Sequence, residues 1–308
     1  MISLVGYTGF VGSNIYAGGH IDAAYNSKNI EEAFGTKPNL LIYAGLKAEK
    51  YLANIAPQKD METIVGAEKN IEKIEPKKLV LISTIDVLKD PNRKDESATV
   101  ETDGLQAYGF NRYRLEQWTR EHYPDALIIR LPGLFGKNIK KNFIYDFINV
   151  IPFMLKKEKF EKLAAKAQEL KEVYSQQENG FYKLTVLDEE EKKKLRNIFR
   201  NLGFTALNFT DSRATYQFYN LARLYSDIEK TLDAGLKLWH AATEPVSAGE
   251  LYHYLTGRDF VNEIADTPPY YDYRTKYASI FGCTGEYIES KEYVLEEIKN
   301  FVKEQENE

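Results

Sequence analysis

The chain is poor in cysteine, with Cys283 alone among 308 residues. No internal disulfide can form, which points to a reducing compartment, the cytoplasm, and Cys283 is expected to be an ordinary thiol. Histidine is also scarce. His20, His122, His240 and His253 show no metal-ligand spacing with one another or with Cys283, so no metal site is expected. Excess positive charge is missing: 41 Lys and Arg face 46 Asp and Glu, a net charge of -5, which argues against nucleic acid as a partner. No apolar run approaches the roughly 20 residues of a membrane helix, and no basic-then-apolar leader precedes the first apolar run. Neither a membrane span nor a secretion signal is therefore expected. Internal repeats and low-complexity linkers are lacking too. Aromatic residues are plentiful, with 22 Tyr and 16 Phe, enough for a core and for a polar-aromatic pocket.

The most informative stretch is the first dozen residues. Ile2 to Val5 is a short apolar run, followed by Gly6, Gly9 and Gly12 and then a possible helix start at Ser13. A strand, a glycine turn and a helix start can cradle a pyrophosphate. The first glycine makes the tight turn, the second lets backbone approach phosphate, and the third lets helix pack on strand. No Gly-Lys-Ser/Thr follows, so a nucleoside-triphosphate P-loop is the poorer reading. Gly6, Gly9, Phe10, Val11 and Gly12 are the cradle candidates. A second strand is expected over Ile21 to Asn26. Its end is where a dinucleotide fold reads the adenosine ribose, and here it carries Asn26, Ser27 and Lys28 instead of an acid. These residues can donate to a 2′-phosphate, and Asn can bond a free hydroxyl, so NAD and NADP both remain open.

Further strands are expected over Asn39 to Tyr43, Lys78 to Ser83 and Asp125 to Arg130, with a helix over Met61 to Ile74. Alternating strands and helices predict an α/β fold with a doubly wound parallel sheet. Small residues Ala44 and Gly45, straight after a strand, let a cofactor lie against backbone. Ser83, Thr84 and Asp86 fall at a strand's carboxyl end, where open sheets place ligand chemistry. Tyr108 and Arg112 are four apart, on one face of an amphipathic helix running from Tyr108 to Glu121.

Taken together these segments resemble the extended short-chain dehydrogenases/reductases, the NAD-dependent epimerase/dehydratase family. The glycine turn matches, and Ala44-Gly-Leu-Lys-Ala48 resembles the same segment of UDP-galactose 4-epimerases. Thr84 falls at the family's catalytic Ser/Thr, and Tyr108 begins its Tyr-Gly-x-x-Lys helix, with Arg112 in place of Lys. Arg130 to Gly136 follows the family's Arg-x-x-Asn-x-x-Gly turn, with Gly133 in place of Asn. His240 to Ser247 resembles its last core strand and Glu-Pro-Val-Ser turn. The match covers almost the whole chain, leaving out roughly residues 155 to 205.

The resemblance implies a Rossmann-type domain over 1–137 and 206–243. A smaller mixed α/β substrate lobe would take 138–205 and 244–308, with a charged helical insertion at about 156–201. In it Gly180 to Leu187 alternates like a strand before a second charged helix, and the insertion is read as a solvated hairpin, a mobile lid or a partner surface. It implies an NAD(P)-dependent oxidoreductase acting on a sugar or nucleotide-sugar, as reductase or epimerase, with dehydratase least favoured. Tyr108 would be the acid/base and Thr84 would orient the reacting oxygen. Arg112 would lower the phenol pKa. A free phenol near 10 needs a shift of about 3 units, roughly 4 kcal/mol. A cation about 4 Å away supplies about that much at an effective dielectric near 20. Arg112, Tyr108, Lys47 and Ser83 would also contact cofactor. Thr84, Asp86, Asn142 and Arg213 would contact substrate, and the helix from Tyr108 would pair two subunits into a homodimer. A catalytically attenuated sensor on the same fold is the alternative, motivated by Arg112 and Gly133.

Overall fold

A computed structural model of the protein describes residues 1–178 and 180–307. Contacts divide the chain into two compact units. The first comprises residues 1–139, 215–246 and 270–297, and the second comprises 140–214, 247–269 and the chain from Ile298 onward. Residues 270–297, expected in the substrate lobe, thus group with the first unit.

In the first unit the early elements are β1 (Ile2–Val5), α1 (Phe10–Gly18), β2 (Ala23–Tyr25) and β3 (Leu40–Tyr43). They are followed by α2 (Lys50–Ile55), α3 (Pro57–Ile74), β4 (Leu79–Thr84), α4 (Ala107–His122), β5 (Leu127–Leu131) and β6 (Gly133–Phe135). In the second unit come α5 (Phe143–Asn149), β7 (Met154–Lys156), α6 (Lys157–Ala164), α7 (Leu170–Val173), β8 (Tyr174–Gln176), β9 (Phe181–Leu184) and α8 (Glu189–Asn201). The chain returns through β10 (Thr215–Tyr216), β11 (Phe218–Asn220), α9 (Leu224–Asp233) and β12 (Leu238–His240), then continues into α10 (Ala248–Thr256) and α11 (Lys291–Asn307).

Six strands form one parallel sheet in the order β12-β5-β4-β3-β1-β2. The strands are aliphatic on both faces because helices cover both. Leu4, Ile42, Val80, Ile129 and Trp239 pack with Ile15 of α1 and Ile228 of α9. Their neighbours Val5, Leu41, Leu79, Leu81 and Ile128 pack with Ile64 and Ile71 of α3 and Leu115 of α4. Each such aliphatic side chain contributes about 1.5–3 kcal/mol of transfer free energy. The expected doubly wound α/β sheet is present. Its strand order reverses between β1 and β3, so the crevice there opens where the glycine turn lies.

In the insertion the expected strand after Gly180 is present as β9 and the second charged helix as α8, but the first half differs from one arm of a helical hairpin. Apolar spacing at Phe160, Leu163, Ala167 and Leu170 reads as one helix, but the helix ends at Ala164 and a separate short turn of helix begins at Leu170. Strands β7, β9 and β8 pair antiparallel, with Leu155 opposite Tyr182 and Ser175 opposite Lys183. Leu155, Phe160, Leu163, Leu170, Leu195 and Phe199 give this segment a core of its own. The charged residues that dominate its composition lie around that core, which is why the hydrophobic pattern looks sparse in the sequence.

Candidate functional site

The glycine turn is built by close contact. Gly6 has φ +94, and a Cβ there would collide with the Ala44 carbonyl; a Cβ on Gly12 would collide with the Gly6 carbonyl. Gly9 is the exposed N-cap of α1, which has no side-chain cap. The first-turn amides of Phe10, Val11 and Gly12 therefore have neither an intrahelical nor a capping acceptor. A dinucleotide pyrophosphate fits this donor set, since aligned amides and the helix dipole favour an anion. Asn14 fixes the turn by donating to the Phe10 carbonyl (2.8 Å) and the Lys137 carbonyl (2.9 Å). At the end of β2, Asn26 Oδ1 accepts from the Lys28 amide at 2.8 Å, while Ser27 and Lys28 are exposed. Ala44 is half-buried and Gly45 exposed at the end of β3.

Thr84 and Tyr108 come together beyond the carboxyl end of β4. Thr84 Oγ1 accepts from the Asp86 amide at 3.2 Å, and the Thr84 hydroxyl is close enough to the Tyr108 phenol to favour its ionised form. What permits this is Gly109. A Cβ there would collide with the Asp86 carbonyl, so only glycine lets the first turn of α4 sit on the Thr84–Asp86 turn. Asn54 of α2 secures the same helix start, accepting from the Tyr108 amide at 2.9 Å and donating to Gln106 Oε1 at 3.0 Å.

Arg112 is placed differently from a cation aimed at the phenol oxygen. Its guanidinium lies over the Tyr108 ring, 4.1 Å from the centroid. It is ion-paired with Asp60 of α3 and donates to the Lys47 carbonyl at 2.8 Å. Burial pushes the Tyr108 phenol up; Arg112, the Thr84 hydroxyl and Lys50 pull it down, and Asp86 pushes it further up. Arg112 thus acts in the expected direction, but burial outweighs it and the net direction is upward. Lys47 takes part through its backbone carbonyl, and its side chain is exposed.

The sequence reading missed Asn54, Asp60, Lys50 and Tyr271. Lys50 Nζ lies 2.8 Å from Asp86 Oδ1 and 3.5 Å from Tyr271 Oη, and Tyr271 in turn donates to Asp86 Oδ1 at 3.3 Å. The one signal for Asp60 was indirect: a buried arginine requires a carboxylate from some other element.

Beneath the site runs a buried polar row. Ser83, Arg130 and His240 lie side by side on β4, β5 and β12. Ser83 Oγ donates to Glu116 Oε1 at 2.6 Å, so the hydroxyl expected to meet cofactor is turned into the protein. Glu116 also accepts from Arg130 Nε (3.0 Å) and Nη2 (2.6 Å). His240 contacts Arg130 at 3.2 Å, and burial followed by the Arg130 charge pushes its pKa down to about 3, leaving it neutral. Tyr108, Arg112 and Glu116 recur every fourth residue of α4, so one helix face carries both the site and its anchor.

In the second unit Asn142 caps α5, its Oδ1 accepting from the Ile144 and Tyr145 amides at 3.0 and 3.2 Å. Arg213 is held by Asp211 (2.8 Å), Glu263 (3.1 Å) and the Ala265 carbonyl (2.7 Å). At Gly133, where the resemblance expects Asn, a Cβ would sit 2.8 Å from the Gln217 carbonyl, so the parallel pairing of β6 with β11 leaves no room for a side chain. Among the described residues, no group of His, Cys, Asp and Glu is placed to hold a metal, and no helix is long and apolar enough to cross a membrane.

A doubly wound sheet, an uncapped glycine-turn helix and a Thr–Tyr pair at the end of β4 define a Rossmann-type α/β architecture. Solved structures with that fold superpose over nearly the whole chain. A dTDP-4-dehydrorhamnose reductase from Bacillus anthracis, in complex with NADP, is similar with a TM-score of 0.62 at 16% identity, covering 98% of this chain and 97% of that one. A UDP-N-acetylglucosamine 4-epimerase from Methanobrevibacter ruminantium, in complex with UDP-N-acetylmuramic acid, gives 0.62 at 11% identity, covering 98% and 96%. A short-chain dehydrogenase/reductase superfamily protein from Agrobacterium tumefaciens, with bound NAD, gives 0.61 at 13%, covering 99% and 98%. These likenesses establish the fold. No protein-family model matches the sequence, and no curated protein does.

Proposed function

We propose that the protein is an NAD(P)-dependent oxidoreductase acting on a sugar or nucleotide-sugar, with Tyr108 as the acid/base. The carrying observation is the approach of Thr84 to the Tyr108 phenol, made possible by Gly109 against the Asp86 carbonyl. Gly6, Gly9, Phe10, Val11, Gly12, Ala44 and Gly45 would hold the dinucleotide, and Asn26, Ser27 and Lys28 would meet its ribose end. When bound, the nicotinamide would supply or accept the hydride. Tyr108 would then pass its phenolic proton to the substrate oxygen in reduction, or take one in oxidation, while Thr84 bonds that oxygen and orients it. Arg112 acts on the Tyr108 ring face and holds its position, with Asp60 and the Lys47 carbonyl fixing the guanidinium. Asp86 is the substrate contact nearest this pair. Asn142 belongs to the substrate lobe, and Arg213, held by two acids, is the weaker assignment there. Reductase and epimerase are both compatible with this machinery, and a cytoplasmic homodimer is the assembly the reading carries with it.

A second reading is a sensor that binds cofactor with its chemistry attenuated. The upward direction of the Tyr108 phenol favours it. Fluorescence titration with NADH and NADPH, on the wild type and on Tyr108→Phe, separates the two. The enzyme reading expects reversible binding in both proteins and turnover that falls about 100-fold or more in the variant. Equal absence of turnover in both, with binding intact, supports the sensor. No binding of either nucleotide refutes both.

A further inference from the structure

Beside the Thr84–Tyr108 pair sits an ion pair that the acid/base chemistry above leaves unused. Lys50 opens α2, and its amine is 2.8 Å from Asp86 Oδ1. Asn54, one turn further along the same helix, binds the Tyr108 backbone amide, so α2 is clamped on the helix start that carries the phenol. Asp86 is tied in turn to Thr84, whose hydroxyl accepts from the Asp86 amide. Lys50 is therefore carried by the helix that binds the Tyr108 amide, and Asp86 is bonded directly to Thr84.

Arg112 is a poor candidate for changing that proton's energy during a cycle. It is 4% exposed, paired with Asp60 and bonded to the Lys47 carbonyl, and a guanidinium keeps its proton throughout the working pH range. Lys50 and Asp86 are different. Their side chains are 43% and 23% exposed, so a substrate hydroxyl or a water can reach either partner and weaken the pair.

We propose that Lys50 and Asp86 form a charge couple acting on Tyr108, in which Lys50 favours release of the phenolic proton and Asp86 favours its retention. On this view Lys50 is a positioning residue for charge, acting through Tyr108. The inference rests on the oxidoreductase reading for its purpose, though not for its measurement. The other ionisable groups around the couple are Tyr271, which bridges both partners, and Tyr273 behind it. Arg112 with Asp60 lies on the α4 side. Burial lowers the affinity of Lys50 for its proton, but Asp86 and then Tyr271 outweigh this and raise it, so the amine stays charged and the couple intact at neutral pH.

The test is a site-specific titration of residue 108. Replacing Tyr108 by 2,3,5-trifluorotyrosine lowers the intrinsic phenol pKa and gives fluorine signals from that one residue among 22 tyrosines. The titration midpoint is then followed by fluorine NMR in the otherwise unchanged chain and in Lys50→Met, Asp86→Asn and the double variant. Lys50→Met should raise the midpoint and Asp86→Asn should lower it, each by up to about one pH unit, the effect of a unit charge acting over roughly 10 Å at an effective dielectric near 20. The double variant should return close to the starting value, and Lys50→Arg should hardly move it. A purely structural role for Lys50 would shift both single variants the same way or neither, and either result overturns the proposal. Half-exposure of Lys50 makes folding of its variants a small concern, and circular dichroism on the same samples verifies it. NADH titration of the same proteins tells the two failures apart. Opposite midpoint shifts without nucleotide binding would leave the couple standing and sink the oxidoreductase reading. Nucleotide binding with unmoved midpoints would do the reverse.

Discussion

Removing the Glu116 carboxylate should be among the most damaging single changes in the first unit. Glu116 is fully buried and accepts from Ser83 Oγ, from Arg130 twice and from Arg120 at 3.0 Å. In Glu116→Ala the Arg130 guanidinium, 1% exposed, would keep, among the described residues, His240, a neutral ring, as its hydrogen-bonding side-chain partner. Breaking a buried pair from one side costs about 3–5 kcal/mol, because a desolvated charge is left without its partner. For a unit of this size each kcal/mol is worth about 2–4 °C, so a fall in Tm of roughly 10 °C is expected. Glu116→Gln, which preserves shape and some hydrogen bonding, should fall between wild type and Ala. Joint replacement of Glu116 and Arg130 by Leu and Met should recover much of the loss, since the orphaned charge is then gone. The pH dependence supplies a second signature. Burial pushes the Glu116 carboxyl up from its ordinary 4.5, but Arg130, Arg120 and Ser83 outweigh it and leave it lowered. The unfolded chain then takes up this proton before the native one does. The contribution is present above about pH 4.5 and is lost as pH falls through the folded value. Glu116→Ala should therefore flatten the acid limb of the stability profile. Thermal melts by circular dichroism between pH 3 and 8 measure both effects. A loss under about 1 kcal/mol with an unchanged acid limb would refute the account.

Three further outcomes follow from the same reasoning. Burial raises the Asp146 carboxyl from 3.8 to about 7. The native state holds that proton where the unfolded chain has shed it, so stability falls as pH rises between those values, by at most about 4 kcal/mol. Asp146→Asn should thus match wild type near pH 4 and melt higher at pH 8; equal melting at pH 8 would contradict the burial argument. Gly109→Ala gains about 1 kcal/mol of helix propensity but forces α4 off the Asp86 carbonyl, an overpacking cost of about 1–3 kcal/mol. Its stability should change little while any Tyr108-dependent turnover drops about 100-fold, as expected for a displacement near 1 Å; preserved turnover would show that the contact is slack. Asp188 and Glu191 form a reciprocal capping box at the start of α8. Asp188→Ala should cost about 1 kcal/mol, confined to the insertion, and hydrogen exchange of the first amides of α8 would localise it.

Local chemistry made much of this legible in advance. Gly6, Gly9 and Gly12 are legible as a turn because an apolar run, three glycines and a helix start follow one another within a dozen residues. The sheet follows from aliphatic runs that are buried on both faces and therefore stand out against polar connections. Thr84 and Tyr108 could be paired only through resemblance, yet the residue that brings them together, Gly109, was part of the same quoted helix. Partners contributed from afar were hidden. Asp60 meets Arg112, Lys50 meets Asp86 and Glu116 meets Ser83 across different elements, and nothing in local periodicity distinguishes such a charge from a solvated one. The insertion misled for a related reason. Phe160 and Leu170 share a helical period, but cross-strand partners such as Leu155 and Tyr182 decide the outcome, and these depend on contacts that periodicity does not see.

The Arg112–Asp60 pair also bears on how this sequence can change over generations. Lysine alone at position 112 would be too short to span both Asp60 and the Lys47 carbonyl, and a neutral residue alone at position 60 would strand a buried guanidinium. Each single step away from the present state crosses a fitness valley, while the double step need not. The two positions should therefore be inherited as a unit: among descendants and cousins, an acid at 60 should accompany arginine at 112 far more often than chance. Drift at either site alone should appear only where Tyr108 has itself been released from its work.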